Sequence, residues 1–559
     1  MTTEVPNVEP DQIHSSGMQS ASPQPVAGRL SAVLQHDHIA HSPSISDEAR
    51  SELSGSFDYH HNSIYSSPFS HGQLCSPQAS TTRHHDPLME SLTKSLSKAG
   101  VTQEAVAYLS KCIDLHFIYT YPIVPILHRS TINETMDKVN NSGARWDTRM
   151  FTLVTAACSY TLALVPGHLT SASLVVAEAF YKASKSTLDS YMEQDIEYPD
   201  HSSIAIRVFH SGWAHAAGKS KASWHILGES VRLVQSMRLH DEASYERMDP
   251  LEGQLCRRIF WALYTSDKSA AILGGHPQCL ASSLFKEGIT AAYPDDFPGQ
   301  DLICVSTTLG SEQQMSIMTG FNANQDLWRA AEPLLLLTAD DISHIQQGGS
   351  HPVLSDASPE LATLTEQYMR FITCLDDLPA MLRFHPNLGS SPHEFVFADK
   401  SVRPEPPRAI AIQRTNLQAS YQCLKMVILR NLSAVWAHRT IDSRDFLLDH
   451  FLGRASVNAD QLADSPLYIL ETLRVAEDML YVAHTSGLDL IRINGEACTE
   501  KIRLVGASIL ELIARNPASP LMSAARRYSE LYPHVLALLN SKLSERAQYN
   551  ATETNQGRR

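Results

Sequence analysis

The side chains best suited to bind a metal ion are those of cysteine and histidine, and their spacing decides whether they can do so. No two of the nine cysteines lie within four residues of each other. Zinc sites in proteins usually take ligands from pairs two to four residues apart, so the sequence predicts no zinc site. We expect reduced thiols buried in a core at Cys75, Cys112, Cys158, Cys256, Cys279, Cys304, Cys374, Cys423 and Cys498.

Two other groups of residues have the chemistry of cation ligands. His210 and His215 are five residues apart, whereas ligands on one face of a helix are four apart, so we expect two separate side chains. Asp295, Asp296 and Asp301 lie in a segment rich in Pro and Gly, without a partnering set of Asn or Glu. We expect a solvated turn there.

Motifs that would assign an enzymatic reaction are missing from this sequence. It contains no G-x-x-x-x-G-K-[ST] phosphate loop, no G-x-G-x-x-G fingerprint, no G-x-S-x-G nucleophile turn and no H-E-x-x-H zinc motif. Triads assembled from distant residues leave no such motif. The sequence therefore predicts a protein that is not an enzyme and that has no catalytic residue, metal ligand or cofactor. An enzyme whose nucleophile the sequence does not identify remains an alternative.

Composition and charge limit the class of protein. The chain has 559 residues, of which 43% are hydrophobic, and a formal net charge of −15. This is enough apolar material for a large core, and the acidic balance gives no general attraction to phosphates. No apolar run approaches the roughly 20 residues of a membrane span, and the N-terminus lacks the basic and apolar regions of a secretory signal. We expect a soluble intracellular protein without membrane contact.

The first 90 residues differ in composition from the rest of the chain. Ser, His and Pro supply 34 of them, Lys is absent, and three Arg face ten acidic residues. Such a segment cannot bury enough apolar surface to offset its chain entropy, so we predict a disordered acidic tail over 1–90. Helical periodicity then runs over 91–545, and a flexible tail follows over 546–559. The predicted fold class is all-α, a large multi-helix regulatory domain.

The clearest predicted helix begins at Asp249, followed by Pro250 and Glu252. These residues supply an N-cap, a proline in the first turn and a glutamate that can close a capping box. Leu255, Ile259 and Leu263 would then form its apolar stripe. We predict further helices over 222–239, 417–436 and 467–484, and loops over 285–301, 339–359 and 384–409.

The predicted helices around residues 222–277 carry the most informative motif. The first contains Trp224 and ends in Leu-His at 239–240, the second reads Arg-Arg-Ile-Phe-Trp-Ala-Leu-Tyr-Thr-Ser-Asp-Lys from position 257, and Gly-Gly-His-Pro follows from position 274. This block resembles the fungal-specific transcription factor domain, the middle homology region found behind Zn2Cys6 zinc clusters. The residues that fall on the family pattern are Trp224, Gly228, Leu239, His240, Arg257, Arg258, Trp261, Tyr264, Asp267, Gly275 and Pro277.

Similar segments extend the resemblance over about 105–510. Tyr-Pro-Ile-Val-Pro-Ile-Leu-His over 121–128 resembles the opening of the domain, Met-Val-Ile-Leu-Arg over 426–430 a later helix, and the segment 494–503 its C-terminal part in some members. The departures are Arg238, Lys268, His276 and Asn431, where the family commonly has Gly, Arg, Arg and Pro. The six-cysteine cluster of the family is missing from this sequence altogether.

Two interpretations of the matched residues remain open. In the first they pack the core and the helix junctions, and at least one guanidinium of Arg257 or Arg258 pairs with an acidic group such as Asp267 or Glu229. In the second an effector pocket is lined by aromatic side chains, namely Trp224, Trp261 and Tyr264.

The resemblance implies a regulator of transcription, expected to be an activator, in the nucleus of a fungus. Its targets would be a metabolic or secondary-metabolite biosynthetic gene cluster. Because the zinc cluster is missing, we expect no direct, specific DNA contact; the partner would be a DNA-bound transcription factor or the transcription machinery, with a small-molecule effector as a further partner. The alternatives are a zinc-cluster regulator whose N-terminus is truncated in this sequence, and a helical enzyme or small-molecule-binding protein that reuses the domain.

Overall fold

A computed structural model describes most of the chain. The described residues are 86–142, 144–170, 174–306, 312–335, 359–383, 406–439 and 466–539. They belong to one compact unit, Thr81–Arg559. The predicted tail lies outside the described residues up to position 85, as do residues 339–358 of the predicted loop 339–359, residues 384–405 of the predicted loop 384–409, and the C-terminal tail. The last residues of the first three of these segments, 87–90, 359 and 408–409, are helical, so the predicted boundaries are wrong there.

Helices account for most of the described residues, so the predicted all-α class is confirmed. A two-stranded antiparallel sheet, β1 (Leu302–Ser306) and β2 (Glu312–Ser316), pairs Leu302 with Ser316 and Ser306 with Glu312. The α-helices are α1 (Pro87–Lys98), α2 (Ala105–Leu115), α3 (Arg129–Ser142), α4 (Thr148–Leu164), α5 (Gly167–Thr170), α6 (Leu174–Asp189), α7 (Met192–Glu197), α8 (His201–Ala216), α9 (Ser220–Ser236), α10 (Pro250–Gly274), α11 (Ile317–Leu335), α12 (Pro359–Thr373), α13 (Arg408–Arg439), α14 (Pro466–Ile493), α15 (Gly495–Arg515) and α16 (Met522–Leu539).

Short turns of other helix types connect some of these elements. A π-helical turn, His116–Thr120, follows α2, and 3₁₀ turns occupy Glu242–Arg247 and Ser282–Leu284. Among the described residues, no helix is both long enough and apolar enough to span a bilayer.

Helix α13 lies between two apolar cores. Leu417, Leu424 and Ile428 belong to the larger core, to which α1, α2, α4, α6, α8, α10 and α11 contribute most of the buried residues. Cys423 and Met426 belong to a second core, formed with α14, α15 and α16. A helix that is apolar on opposite sides is buried on both, so α13 joins the two cores into one body.

Helix α10 begins where the sequence predicts. The side chain of Asp249 accepts hydrogen bonds from the backbone N–H groups of Leu251 (2.9 Å) and Glu252, and Pro250 occupies the first turn. The predicted capping box is wrong in its second half, because the Glu252 carboxylate accepts from the backbone N–H of His201 (2.7 Å) and bonds to its ring. The helix ends at Gly275, which adopts a left-handed conformation with φ of 66°.

The other predicted helices form with different ends. The helix expected over 222–239 runs from Ser220 to Ser236, and the one expected over 417–436 starts nine residues earlier, at Arg408. The helix expected over 467–484 continues to Ile493 across a kink at Gly487, which has φ of 75° and ψ of 159°. The predicted loop 285–301 is present as irregular chain.

Candidate functional site

The two arginines of the motif are buried on α10, and each binds a carboxylate. Arg258 pairs with Asp301, with 2.7 Å between Nη2 and Oδ2, and both side chains are 0% exposed. Arg257 holds Glu242 through two hydrogen bonds of 2.8 and 2.5 Å. The expectation of a buried guanidinium with an acidic partner is confirmed, but the partners named from sequence, Asp267 and Glu229, are wrong.

Asp301 is buried rather than solvated, which corrects the expectation for its segment. The Tyr121 hydroxyl and the backbone N–H of Phe297 both donate to its carboxylate. Asp295 and Asp296 are exposed and bind elsewhere, to Gln254 and Ser316. The three carboxylates therefore do not converge.

Asp267 binds backbone N–H groups and not the arginine guanidinium that the sequence predicted as its partner. It accepts hydrogen bonds from the backbone N–H groups of Cys279 and Leu280, both at 2.9 Å, and so holds the chain that returns after α10. Burial raises the pKa of Asp267 above its ordinary value, although these hydrogen bonds act in the opposite direction.

Lys268, one residue further on, is 0% exposed and pairs with Glu332 of α11 at 3.1 Å. The Tyr264 hydroxyl donates to the same carboxylate at 2.9 Å. This cluster of buried charge fixes α10 against α11.

The aromatic residues proposed to line an effector pocket do not form one. Trp261 and Tyr264 are 0% exposed and contact each other edge to face, with ring centroids 5.3 Å apart. The Trp261 indole N–H donates to the carbonyl of Ala292 at 2.8 Å, which anchors the loop after α10. Trp224 is instead 41% exposed and stacks on His276. The pocket hypothesis is therefore wrong for this set of side chains.

The remaining matched residues shape the junctions around α10. His240 is buried and stacks on Phe285 with centroids 4.2 Å apart, and its carbonyl accepts from Thr290 at 2.7 Å. Leu239 is fully buried. Gly275 ends α10, and Pro277 follows in the exposed turn. Gly228 lies on the outer side of α9, where packing does not require a glycine.

Both candidate histidine ligands lie on α8. His210 on α8 binds the Ser184 hydroxyl at 2.8 Å, and burial lowers the pKa of His210 to about 3 and that of His215 to about 4. Within the described ranges, no three His, Cys, Asp or Glu residues could hold a metal ion together. The eight described cysteines are free thiols; five are buried, Cys279 and Cys374 are half-buried, and Cys304 is exposed, contrary to the expectation.

Two clefts open on the part of the chain that the structure describes. One, of about 350 Å³, lies where α4 and α5 meet α15, beside Arg492 and Glu496. The other, of about 230 Å³, lies at the first turns of α3, α8 and α10. Apolar residues such as Met150 and Leu255 line this second cleft, and its polar members are His128, Thr131, His201, Asp249 and Glu252.

Sequence reasoning missed the residues that complete the arginine network. Tyr121, Glu242, Asp301 and Glu332 are all bonded to motif residues on α10. Tyr121 and Asp301 belong to segments that the sequence singled out, Asp301 as part of an expected solvated turn, whereas Glu242 and Glu332 do not. A buried Arg-Arg pair signals that two carboxylates must lie near it, but the identity of those carboxylates depends on tertiary contacts.

The motif residues of α10 thus hold the neighbouring helices and loops in place. Comparisons with known proteins show which family of proteins the chain resembles. Residues 113–324 match the model of the family described as "Fungal specific transcription factor domain". The resemblance found from sequence is therefore confirmed over these residues.

Several curated proteins are similar to part of the chain. "Cutinase transcription factor 1 alpha" of Fusarium vanettenii is 25% identical over 31% of this chain and 18% of its own length. "Citrinin biosynthesis transcriptional activator mrl3" of Monascus ruber is 24% identical over 36% of this chain and 38% of its own. "Tropolone cluster transcription factor tropK" of Talaromyces stipitatus is 25% identical over 31% of each. The chain thus spans less than two-fifths of each of these relatives, and no solved structure matches it significantly.

Proposed function

We propose that this protein regulates transcription of a fungal metabolic or secondary-metabolite gene cluster, as an activator in the nucleus. The observation that carries the proposal is the match of residues 113–324 to the fungal transcription factor domain. Relatives whose names describe transcription factors and activators of biosynthetic clusters support it.

The use of the motif residues supports a regulatory role over an enzymatic one. Four charged residues of the motif bind partners inside the fold, namely Arg257, Arg258, Asp267 and Lys268. Catalytic groups need a cleft and a substrate-facing atom, and these four side chains are buried. The motif therefore acts by holding a helical body in one shape.

The helical body acts through protein partners, either a DNA-bound transcription factor or the transcription machinery. Specific DNA binding needs an element that fits a groove together with Arg or Lys contacts to phosphates. The basic pair Arg257-Arg258 is buried, and the chain carries a net charge of −15. Direct readout of a promoter by a zinc cluster encoded upstream of Met1 is the alternative, and sequencing of the 5′ end of the transcript decides between them.

A tethering assay tests this proposal. The full chain is fused to an unrelated sequence-specific DNA-binding domain in front of a reporter gene, and the unfused chain is the control. We expect activation by the fusion alone, and only weak, non-selective mobility shifts of target promoters by the purified chain at physiological salt. A silent fusion contradicts activation through partners, and tight, sequence-selective binding by the lone chain contradicts the indirect mechanism.

A small-molecule effector would find a site in the 230 Å³ cleft at the starts of α3, α8 and α10. Its six apolar and five polar lining residues suit a small molecule that has both apolar and polar parts. Native mass spectrometry of the protein purified from mycelium tests this function. A bound small molecule that is lost in Met150→Trp, which narrows the cleft, supports it, and an unliganded mass for the unchanged protein contradicts it.

A further inference from the structure

One side of α9 is exposed or half-buried along the described length of the helix. Its inner side buries Ser230, Val231 and Val234 against the rest of the body. On the opposite side, residues at positions 0, 3, 4, 7 and 11 of one helical stripe point outward. We call this stripe the α9 face, and its members are Lys221, Trp224, His225, Gly228 and Arg232.

Trp224 forms an exposed but fixed apolar surface on the α9 face. Its indole stacks on the His276 ring, with centroids 4.3 Å apart and an angle of 13° between the planes. The imidazole in turn lies against Gly274, where a Cβ would come within 2.8 Å of it. A large aromatic side chain that is already held in place loses little entropy on binding, and such residues dominate binding energy at interfaces.

Gly228 lies one turn from Trp224 and, because it has no side chain, leaves the backbone of α9 accessible at that point. A glycine inside a helix costs about 1 kcal/mol relative to alanine. A Cβ at this position would meet only the Arg232 guanidinium, at 3.6 Å, which is ordinary contact distance. Packing within the fold therefore does not require the glycine, whereas close approach of another chain to the helix backbone would.

The α9 face is also positively charged within an acidic chain. No ion pair among the described residues involves Lys221 or Arg232. The carboxylate of Glu229 is engaged by Arg207 and His225, each at 3.5 Å. An acidic ligand would meet two cations that form no ion pair within the part of the chain that the structure describes.

We propose that the α9 face docks an acidic segment of a partner protein that carries an apolar side chain. The apolar side chain packs on Trp224, the segment approaches the helix at Gly228, and its carboxylates pair with Lys221 and Arg232. This inference rests on the proposed function, because it names the surface through which the partner is engaged. Nucleic acid fits less well, since binding of a duplex rests on many Lys or Arg contacts to phosphates, about six to ten in a salt-sensitive complex, and this face offers two cations that form no ion pair among the described residues.

The test measures binding of synthetic peptides to the full chain by fluorescence anisotropy. The probe is a short Asp/Glu peptide with two Phe, and the comparison peptides have Ser in place of Phe or Lys in place of Asp/Glu. We expect the probe to bind more tightly than both. Lys221→Glu/Arg232→Glu and Trp224→Ala should each weaken it by roughly tenfold or more, whereas the exposed controls Lys111→Glu and Tyr198→Ala should not.

Gly228→Leu separates docking from folding. Leucine has a higher helix propensity than glycine, so this variant should melt at the same temperature as the unchanged protein or higher, yet lose the probe. Equal binding of the basic peptide, or unchanged binding by the α9-face variants, overturns the proposal. A DNA duplex that binds better than the probe and is lost in the same variants also overturns it, in favour of nucleic acid.

Transcript levels distinguish this inference from the proposed function. If a deletion strain loses its target transcripts but peptide binding does not depend on the α9 face, the docking surface is wrong and the regulatory function stands. If peptide binding depends on the α9 face but deletion leaves every transcript unchanged, the regulatory function is wrong.

Discussion

Arg258 and Asp301, 43 residues apart in the sequence, form an ion pair in which both side chains are 0% exposed. The hydroxyl of Tyr121 donates to Asp301 at 2.6 Å and accepts from Arg258 at 2.9 Å. The triangle ties the segment before α3, helix α10 and the start of the β-hairpin together. The ion pair and its hydrogen bonds therefore hold α10 in the core, in addition to the apolar contacts of the helix.

Removing one member of this pair should be costly. Asp301→Ala leaves a buried guanidinium without its carboxylate, and breaking a buried pair in this way costs about 3–5 kcal/mol of unfolding free energy. Urea denaturation measures the loss. Asp295→Ala is the control; this residue is exposed, and its change should stay within about 0.5 kcal/mol. If Asp301→Ala unfolds at the urea concentration of the unchanged protein, the ion pair does not stabilise the fold.

Replacement of both members tests whether the penalty comes from the orphaned charge. Arg258→Met/Asp301→Leu puts apolar side chains at both positions, and buried pairs replaced in this way often lose little stability. We expect the double variant to lose less than Asp301→Ala alone. A double variant that is less stable than both single variants would show that the charges themselves hold the junction.

Trp261 and Trp224 should differ sharply in their effect on stability. Trp261→Ala removes a fully buried indole and its hydrogen bond to Ala292, and such truncations cost about 3–5 kcal/mol. Trp224→Ala removes a half-exposed indole and should cost about 1 kcal/mol or less. Differential scanning fluorimetry of the two variants checks the contrast, and equal melting temperatures would contradict the burial of Trp261.

The pH dependence of stability should reflect the buried histidines. Burial lowers the pKa of His210 from 6.5 to about 3, so the folded protein binds fewer protons than the unfolded chain between these values. Stability is then complete above pH 6.5 and is lost as the pH falls, by about 2 kcal/mol for one such histidine between pH 7 and pH 5. His210→Gln should flatten this slope, measured by urea denaturation at each pH. An equal slope in the unchanged protein and in His210→Gln would contradict a neutral, buried His210.

Local features of the sequence were sufficient to locate helix α10. The cap at Asp249, the proline in the first turn and the apolar stripe act within a few residues, so the pattern alone predicts the start of the helix. The fate of Glu252 could not be predicted in the same way, because His201, its partner, comes from the start of another helix. The helix predicted to end at 484 continues to Ile493, because helix resumes after Gly487, the one residue with a non-helical conformation inside it.

The motif was predictable as a set of residues but not as a set of contacts. The sequence indicates that the arginines are buried and need carboxylates, yet Asp301 lies in a loop whose Pro and Gly content suggested solvent. Its burial follows from contacts with Tyr121 and Arg258, which are distant in the chain. The exposure of Trp224 and the burial of Trp261 could not be predicted for the same reason. Helical spacing shows which side of a helix a residue occupies, but not what packs against that side.

The most direct test of the central claim is RNA sequencing of a strain from which the gene has been deleted, compared with the same strain after the gene is restored. If the protein activates a metabolic or biosynthetic gene cluster, the transcripts of one set of neighbouring genes should fall in the deletion strain and recover on restoration. Transcript levels that are the same in both strains, under conditions where the restored gene is expressed, would contradict the regulatory role.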